Sequence, residues 1–351
     1  MVKKALILTV IFAALVSACI KEKDITSTGK VKETALKTVP PLQLSTWVVD
    51  WQWEASIHDL KQLSNGLKSF QIFAAYFDDQ DKLYFTEQMQ TAMPQFLDTA
   101  KQMGLEKIDL TIVNDSINTD GTTIQKDSTL ITRLIATKES REKHINEMIN
   151  VVNQYDLSGV EIDFEMVKEK DWKKLITFYS ELYQRLHKEG KTLRIVLEPR
   201  MPIEKWKLPK GPTYVMMAYN LYGTHSEPGP KADYAFITKL AKRMKNIPGN
   251  PAIAIATGGF DWSANGNITS LTEKQAAQLA IKSTSSIKRD PASGSLYFTY
   301  LDNYNVKHTV WYADSTTLLE WIKKIRKKGY HKVAIWRLGE LGEDTLKMLG
   351  K

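Results

Sequence analysis

The chain is nearly without cysteine: Cys19 is the single one among 351 residues. No intramolecular disulfide is available, so the fold must be held by its packed core. Long apolar runs are scarce too, with one near the start, from Ala5 to Leu15. No glycine-rich phosphate loop follows any strand candidate, which argues against a nucleotide-binding fold. There is no arginine-rich run or nucleic-acid motif, so neither DNA nor RNA is an expected partner. His225 and His308 lack the His/Cys/Asp spacing of a metal site. They read as ordinary polar positions, and neither metal nor cofactor is expected. What is present is globular composition, 43% hydrophobic and 25% charged, with a formal net charge of +8.

Lys3 and Lys4 precede the apolar run, and Val16-Ser17-Ala18-Cys19 follows it. A basic end, a short apolar core and small residues read as a secretory signal, too short for a membrane span. The tetrapeptide resembles the lipobox of bacterial lipoproteins. That resemblance implies cleavage before Cys19 and lipid on its sulfur, with a plain signal peptide as the alternative. The expected organisation is a signal over 1–18, a flexible polar tether over 19–41 and one folded domain over 42–351. The expected location is the outer face of a bacterial membrane. Loss of the two lysines leaves a formal charge of +6, and a basic exported protein is drawn to anionic surfaces.

The segment Gly159-Val160-Glu161-Ile162-Asp163-Phe164-Glu165 places three acids at alternate positions. In a strand, side chains alternate faces, so Glu161, Asp163 and Glu165 share one side and Val160, Ile162 and Phe164 the other. Adjacent carboxylates raise each other's pKa and cost stability. Such a strand makes sense where its acid face lines a polar cavity in which a proton is held and delivered. A solvated strand face is the bland alternative.

Strand-like runs recur at 44–51, 69–76, 107–113, 159–164, 192–197, 214–219, 252–256 and 332–336. Amphipathic segments lie at about 86–103, 139–154, 171–188, 233–246 and 315–328. In the third of these, Trp172, Leu175, Phe178, Tyr179, Leu182 and Leu186 repeat with helical spacing. Eight alternations predict an α/β protein, a single (β/α)8 TIM barrel. The runs 296–300 and 307–312 read as a hairpin. With a helix-like 272–283 they form a small α+β insertion, about 263–312, between strand seven and its helix.

Barrel sites lie at the C-terminal ends of the strands. Those ends carry Asp50-Trp51-Gln52-Trp53, Asp163-Phe164-Glu165, Glu198-Pro199-Arg200, Tyr219-Asn220 and Trp336-Arg337. Acids beside aromatic rings suit a carbohydrate site. These residues resemble glycoside hydrolase family 18, the chitinase-like barrels. The family's strand-four motif, Asp-x-x-Asp-x-Asp-x-Glu, reads here from Ser158 to Glu165, with Ser158 and Glu161 departing from it. The strand-six motif Met-x-Tyr-Asp appears as Met217-Ala218-Tyr219-Asn220. Trp336 matches the strand-eight tryptophan. His225 to Pro230, His308 to Asp314 and Trp336 to Gly339 resemble the bacterial spore-cortex-lytic and cell-wall N-acetylglucosaminidase branch.

The resemblance implies a substrate-assisted retaining mechanism, in which the sugar's 2-acetamido oxygen attacks the anomeric carbon. Glu165 is then the general acid/base, Asp163 holds the acetamido N–H, and Tyr219 orients the acetamido oxygen. Trp336 forms the floor under the sugar; Met217, Asn220, Glu161 and Trp51 are further substrate-binding candidates. Glu161 is expected to share a proton with Asp163. Trp53 and Trp262 read either as sugar platforms or as rim packing. Glu198 is a weaker acid candidate, and Arg200 and Arg337 either contact substrate or neutralise site acids. The expected partner is an N-acetylglucosamine-containing polysaccharide, peptidoglycan or chitin-like. A catalytically silent glycan-binding lipoprotein is the competing expectation, and a transporter's solute-binding lipoprotein fits less well.

Overall fold

The structure, a computed structural model, describes residues 40–63, 66–283 and 285–351. The expected signal, the expected lipidation site Cys19 and nearly all of the expected tether lie outside the described residues. Eight parallel strands form the frame: Gln43–Val49, Leu67–Phe77, Ile108–Ile117, Gly159–Asp163, Thr192–Leu197, Thr213–Met217, Ala252–Ala256 and Lys332–Trp336. Each pairs with the next, and the eighth pairs with the first, Gln43 opposite Lys332, closing a (β/α)8 barrel. The second and third strands run past the rim, where short antiparallel strands, Leu83–Tyr84 and Thr123–Ile124, extend them.

Alternation decides what each strand buries. Val160, Ile162 and Phe164 are fully buried between the barrel and its helices. On helix Trp172–Lys188 the six periodic apolar residues are the buried ones, as their spacing predicts. Inside the barrel a smaller cluster of Trp47, Val196, Val215, Met217, Ala252, Ala254 and Ala334 fills the centre, with Phe73, Tyr219 and Trp336 packed on it. Small alanines on the seventh and eighth strands leave room for the large rings. Gly159 starts the fourth strand because a Cβ there would sit 2.1 Å from the Thr192 carbonyl oxygen.

Three helices beyond those expected are present, Trp53–Gln62, Ser128–Leu134 and Glu343–Leu349. The first begins directly after a 3-10 turn, Asp50–Gln52, so the first strand ends at Val49 rather than at Trp51. The inserted unit is a five-stranded antiparallel sheet spanning 258–313 with helix Glu273–Ile281 on one face. It starts at Gly258, whose φ of +59° turns the chain straight out of the seventh strand. Leu301 pairs with Lys307 at the end of the expected hairpin. Among the described residues no helix is long and apolar enough to cross a membrane.

Candidate active site

The fourth strand ends at Asp163, and Glu165 follows two residues later. Its backbone stays in line because the Asn114 side chain continues the ladder with the third strand. Glu165 N donates to Asn114 Oδ1 at 2.8 Å, and Asn114 Nδ2 donates to Glu165 O at 3.1 Å. Ser158, in place of the motif's first aspartate, ties the base of the strand. Its hydroxyl donates to Glu106 O at 2.7 Å and accepts from Ile108 N at 3.0 Å.

Asp163, Glu165, Met217, Tyr219, Asn220, Trp336 and Trp51 meet on one cavity of about 550 Å³ at the C-terminal mouth of the barrel. Asp50, Tyr76, Asp115 and Lys126 line it too. A second lobe of about 700 Å³ shares Lys126, Glu165, Tyr219, Asn220 and Trp336 with the first and continues past Glu198, Arg200, His225, Lys231 and Phe260. Glu165 therefore stands where two halves of one groove meet. Trp336 is braced by Phe73 at 4.9 Å and Trp47 at 5.7 Å, both edge-on, and lies parallel to Tyr219 at 6.4 Å. Its indole is fixed as an apolar floor.

Burial and neighbouring charge set the proton states. Burial, then the charges of Glu165 and Glu161, push Asp163 well above the ordinary carboxylate range. Burial also raises Glu165, to about 7; Lys126 opposes this and Glu198 supports it. The Tyr219 hydroxyl is held neutral by burial and by Asp163, Glu165 and Glu161. Lys126 Nζ contacts Glu165 Oε2 at 2.7 Å. At neutral pH Asp163 thus keeps its proton and Glu165 is poised to give or take one, beside a hydroxyl that donates, which suits general acid catalysis.

Glu161 departs from its expected place. Its fully buried carboxylate lies below the cavity and accepts from Trp47 Nε1 at 2.5 Å, Thr111 Oγ1 at 2.9 Å and Arg194 Nε at 2.7 Å. It acts on Asp163 through charge, and contact with substrate is closed to it. The extra methylene that distinguishes it from the motif's aspartate carries the carboxylate to Arg194. Trp262 is no platform either: it is buried, its indole N–H donating to Ser226 O at 3.0 Å. Trp53 packs against the main core. Arg337 neutralises no site acid, since its guanidinium lies 5.3 Å from the Trp51 ring centroid and donates to Gln52 Oε1 at 2.6 Å. Trp51 keeps 45% of its surface exposed. His308 sits in the inserted sheet, 2.9 Å from Asp261, whereas His225 lines the outer lobe. Among the described residues no group of three or more His, Cys, Asp or Glu side chains is placed to hold a metal ion.

Sequence reasoning missed Asn114, Asp115 and Lys126. The first two were legible: they form a polar pair at the C-terminal end of an apolar strand, the position that marked the other site residues. Lys126 carries no such signal. It arrives from the extension of the third strand, Asn118 to Asp127, and its backbone N–H is fixed by Asp115 Oδ1 at 2.8 Å.

Residues 72–340 match the family Glycosyl hydrolases family 18. The chain is 26% identical over 243 residues to the uncharacterized glycosylase YvbX of Bacillus subtilis (strain 168), covering 64% of this chain and 70% of that protein. It is 22% identical over 221 residues to the cortical fragment-lytic enzyme of the same organism, covering 57% of this chain and 50% of that one. The chain thus spans about half the length of the second relative. Among solved structures, the Bacillus cereus spore cortex-lytic enzyme SleL superposes with a TM-score of 0.75 at 17% identity, covering 89% of this chain and 74% of that chain.

Proposed function

Because the chain belongs to glycosyl hydrolases family 18 and is a glycoside hydrolase, we propose that it cleaves β-linked N-acetylglucosamine glycans with retention of configuration, using Glu165 as general acid and then base. One observation carries this: Asp163, Glu165 and Tyr219 converge over the Trp336 floor in a single cavity. Glu165 protonates the leaving oxygen while the substrate's acetamido oxygen attacks. Asp163 accepts the acetamido N–H through its carboxyl oxygen, and its dipole stabilises the positive charge that builds on the sugar. Tyr219 donates to the acetamido oxygen. Asn220 offers a hydrogen bond where the family motif has a carboxylate, so it adds no charge to the transition state. Donors and charges of this kind are each worth roughly 3–4 kcal/mol when well aimed.

The outer lobe favours a glycan that carries carboxylates, as muramic acid units do. Arg200 has no side-chain hydrogen bond or ion pair among the described residues, while burial lowers Lys231 to about 7, and its ammonium lies over the Phe260 ring and donates to the Thr257 carbonyl. An unpaired guanidinium in a cleft attracts anionic ligands. The protein is expected to generate new reducing ends from peptidoglycan, and to do so more slowly from neutral N-acetylglucosamine oligomers. Binding without release would place it with the glycan-binding alternative. We propose also that Cys19 is lipidated and anchors the protein to the outer face of a bacterial membrane, a reading supported by Val16-Ser17-Ala18-Cys19. Palmitate label is expected in the wild type and absent from Cys19→Ala; equal labelling would refute the anchor.

A further inference from the structure

Glu165 has two charged neighbours of opposite sign that its proposed role leaves unused. Lys126 Nζ lies 2.7 Å from Oε2, delivered by a loop whose backbone Asp115 fixes. Glu198, at the end of the fifth strand, lines the same lobe as Glu165 and accepts from the N–H of the next residue, Met166, at 2.8 Å; its charge helps raise Glu165. The Glu165 carboxyl therefore stands between a cation in direct contact and a second acidic side chain in the same lobe.

We propose that Lys126 and Glu198 are opposed positioning residues for Glu165: the lysine a resident counter-ion that favours its carboxylate, the glutamate a neighbouring acid whose charge favours its protonated form. Lys126 occupies a carboxylate oxygen that an acid must present to the leaving group. It lines both lobes of the groove, so a glycan threading the groove meets it. When the sugar moves Lys126 aside, Glu165 holds its proton more firmly until it passes to the glycosidic oxygen. Once the proton has left, the lysine's return stabilises the Glu165 carboxylate, which then takes a proton from the attacking water as base.

The other groups facing Glu165 are Asp163 from its own strand, Asp115 from the third and Tyr219 from the sixth. Farther out in the second lobe stand Arg200, His225 and Lys231. None of them contacts the Glu165 carboxyl as Lys126 does, and Lys126 and Glu198 are the charges that act on it most strongly. Removing a cation stabilises the protonated acid, and removing an anion destabilises it. For an acid that must start protonated, the alkaline limb of kcat/KM follows its pKa.

The test is the pH profile of kcat/KM on one soluble N-acetylglucosamine oligomer. The wild-type alkaline limb is expected near the Glu165 value of about 7. Lys126→Met should move it up by about one pH unit or more, Lys126→Arg should leave it in place, and Glu198→Gln should move it down. A ¹³C carboxyl titration of Glu165 in the intact protein gives the same answer without turnover. Limbs that stay still, or that move in the same direction in Lys126→Met and Glu198→Gln, overturn the proposal. It rests on Glu165 being the acid, and Glu165→Gln separates the two failures. An active Glu165→Gln sinks the catalytic assignment itself, whereas an inactive one with immobile limbs sinks only the opposed pair.

Discussion

Glu165→Gln is expected to lower kcat for glycan cleavage by about 10²- to 10⁴-fold, the range a positioned general acid supplies. That corresponds to roughly 3–5 kcal/mol of activation free energy. The amide keeps the shape of the carboxyl and still accepts from Lys126, and its backbone remains clasped by Asn114. What it cannot do is give a proton to the leaving oxygen. KM should change little, because the Trp336 floor and the two lobes are untouched. Reducing-end release measured at saturating substrate, beside a binding isotherm, separates these effects. A variant that keeps more than a tenth of wild-type kcat would show that another group delivers the proton. A wild type that binds but never cleaves would place the chain among glycan-binding proteins.

Arg194→Met is expected to destabilise the fold by about 3–5 kcal/mol, the usual cost of stripping one partner from a buried ion pair. Marginal stabilities lie at roughly 5–15 kcal/mol, so the loss is a large fraction of the total. Glu161 is fully buried, and Arg194 is its one cationic partner within 4 Å among the described residues. Trp47 and Thr111 would remain as neutral donors. Arg194 also approaches Asp109, at 4.0 Å, so a second acid loses its counter-charge. The double variant Glu161→Leu/Arg194→Met should recover most of the loss, because replacing both members of a buried pair by apolar groups is close to neutral. Urea unfolding of the wild type, both single variants and the double variant gives the coupling directly. A loss under 1 kcal/mol in Arg194→Met would mean that water reaches Glu161 and the barrel interior is wetter than its packing indicates.

The eight barrel strands were legible because each is a short apolar run bounded by polar or turn residues, and the long helices because a six-residue apolar stripe is hard to produce by chance. The missed helices are seven to ten residues long, too short for periodicity to stand out. At the site, Asp163, Glu165, Tyr219 and Trp336 were legible from their positions at strand ends. Glu161 misled for a physical reason: alternation gives a side chain its face but not its height along the barrel, and one turn of the pleat lower it meets Arg194 instead of a ligand. Arg194, alone between apolar neighbours in Leu193-Arg194-Ile195, was the clue to a buried partner. Lys126 stayed hidden because its loop, Asn118-Thr119-Asp120-Gly121-Thr122 onward, reads as solvent-exposed turn, and only tertiary folding brings it to Glu165.

The central claim is that the substrate's own acetamido group attacks while Glu165 supplies the proton. Proton NMR of the product in the first moments of cleavage, before mutarotation, tests it most directly. The β-anomer is expected to appear first, as retention requires. Initial release of the α-anomer would mean direct attack by water on the opposite face, and would contradict the mechanism.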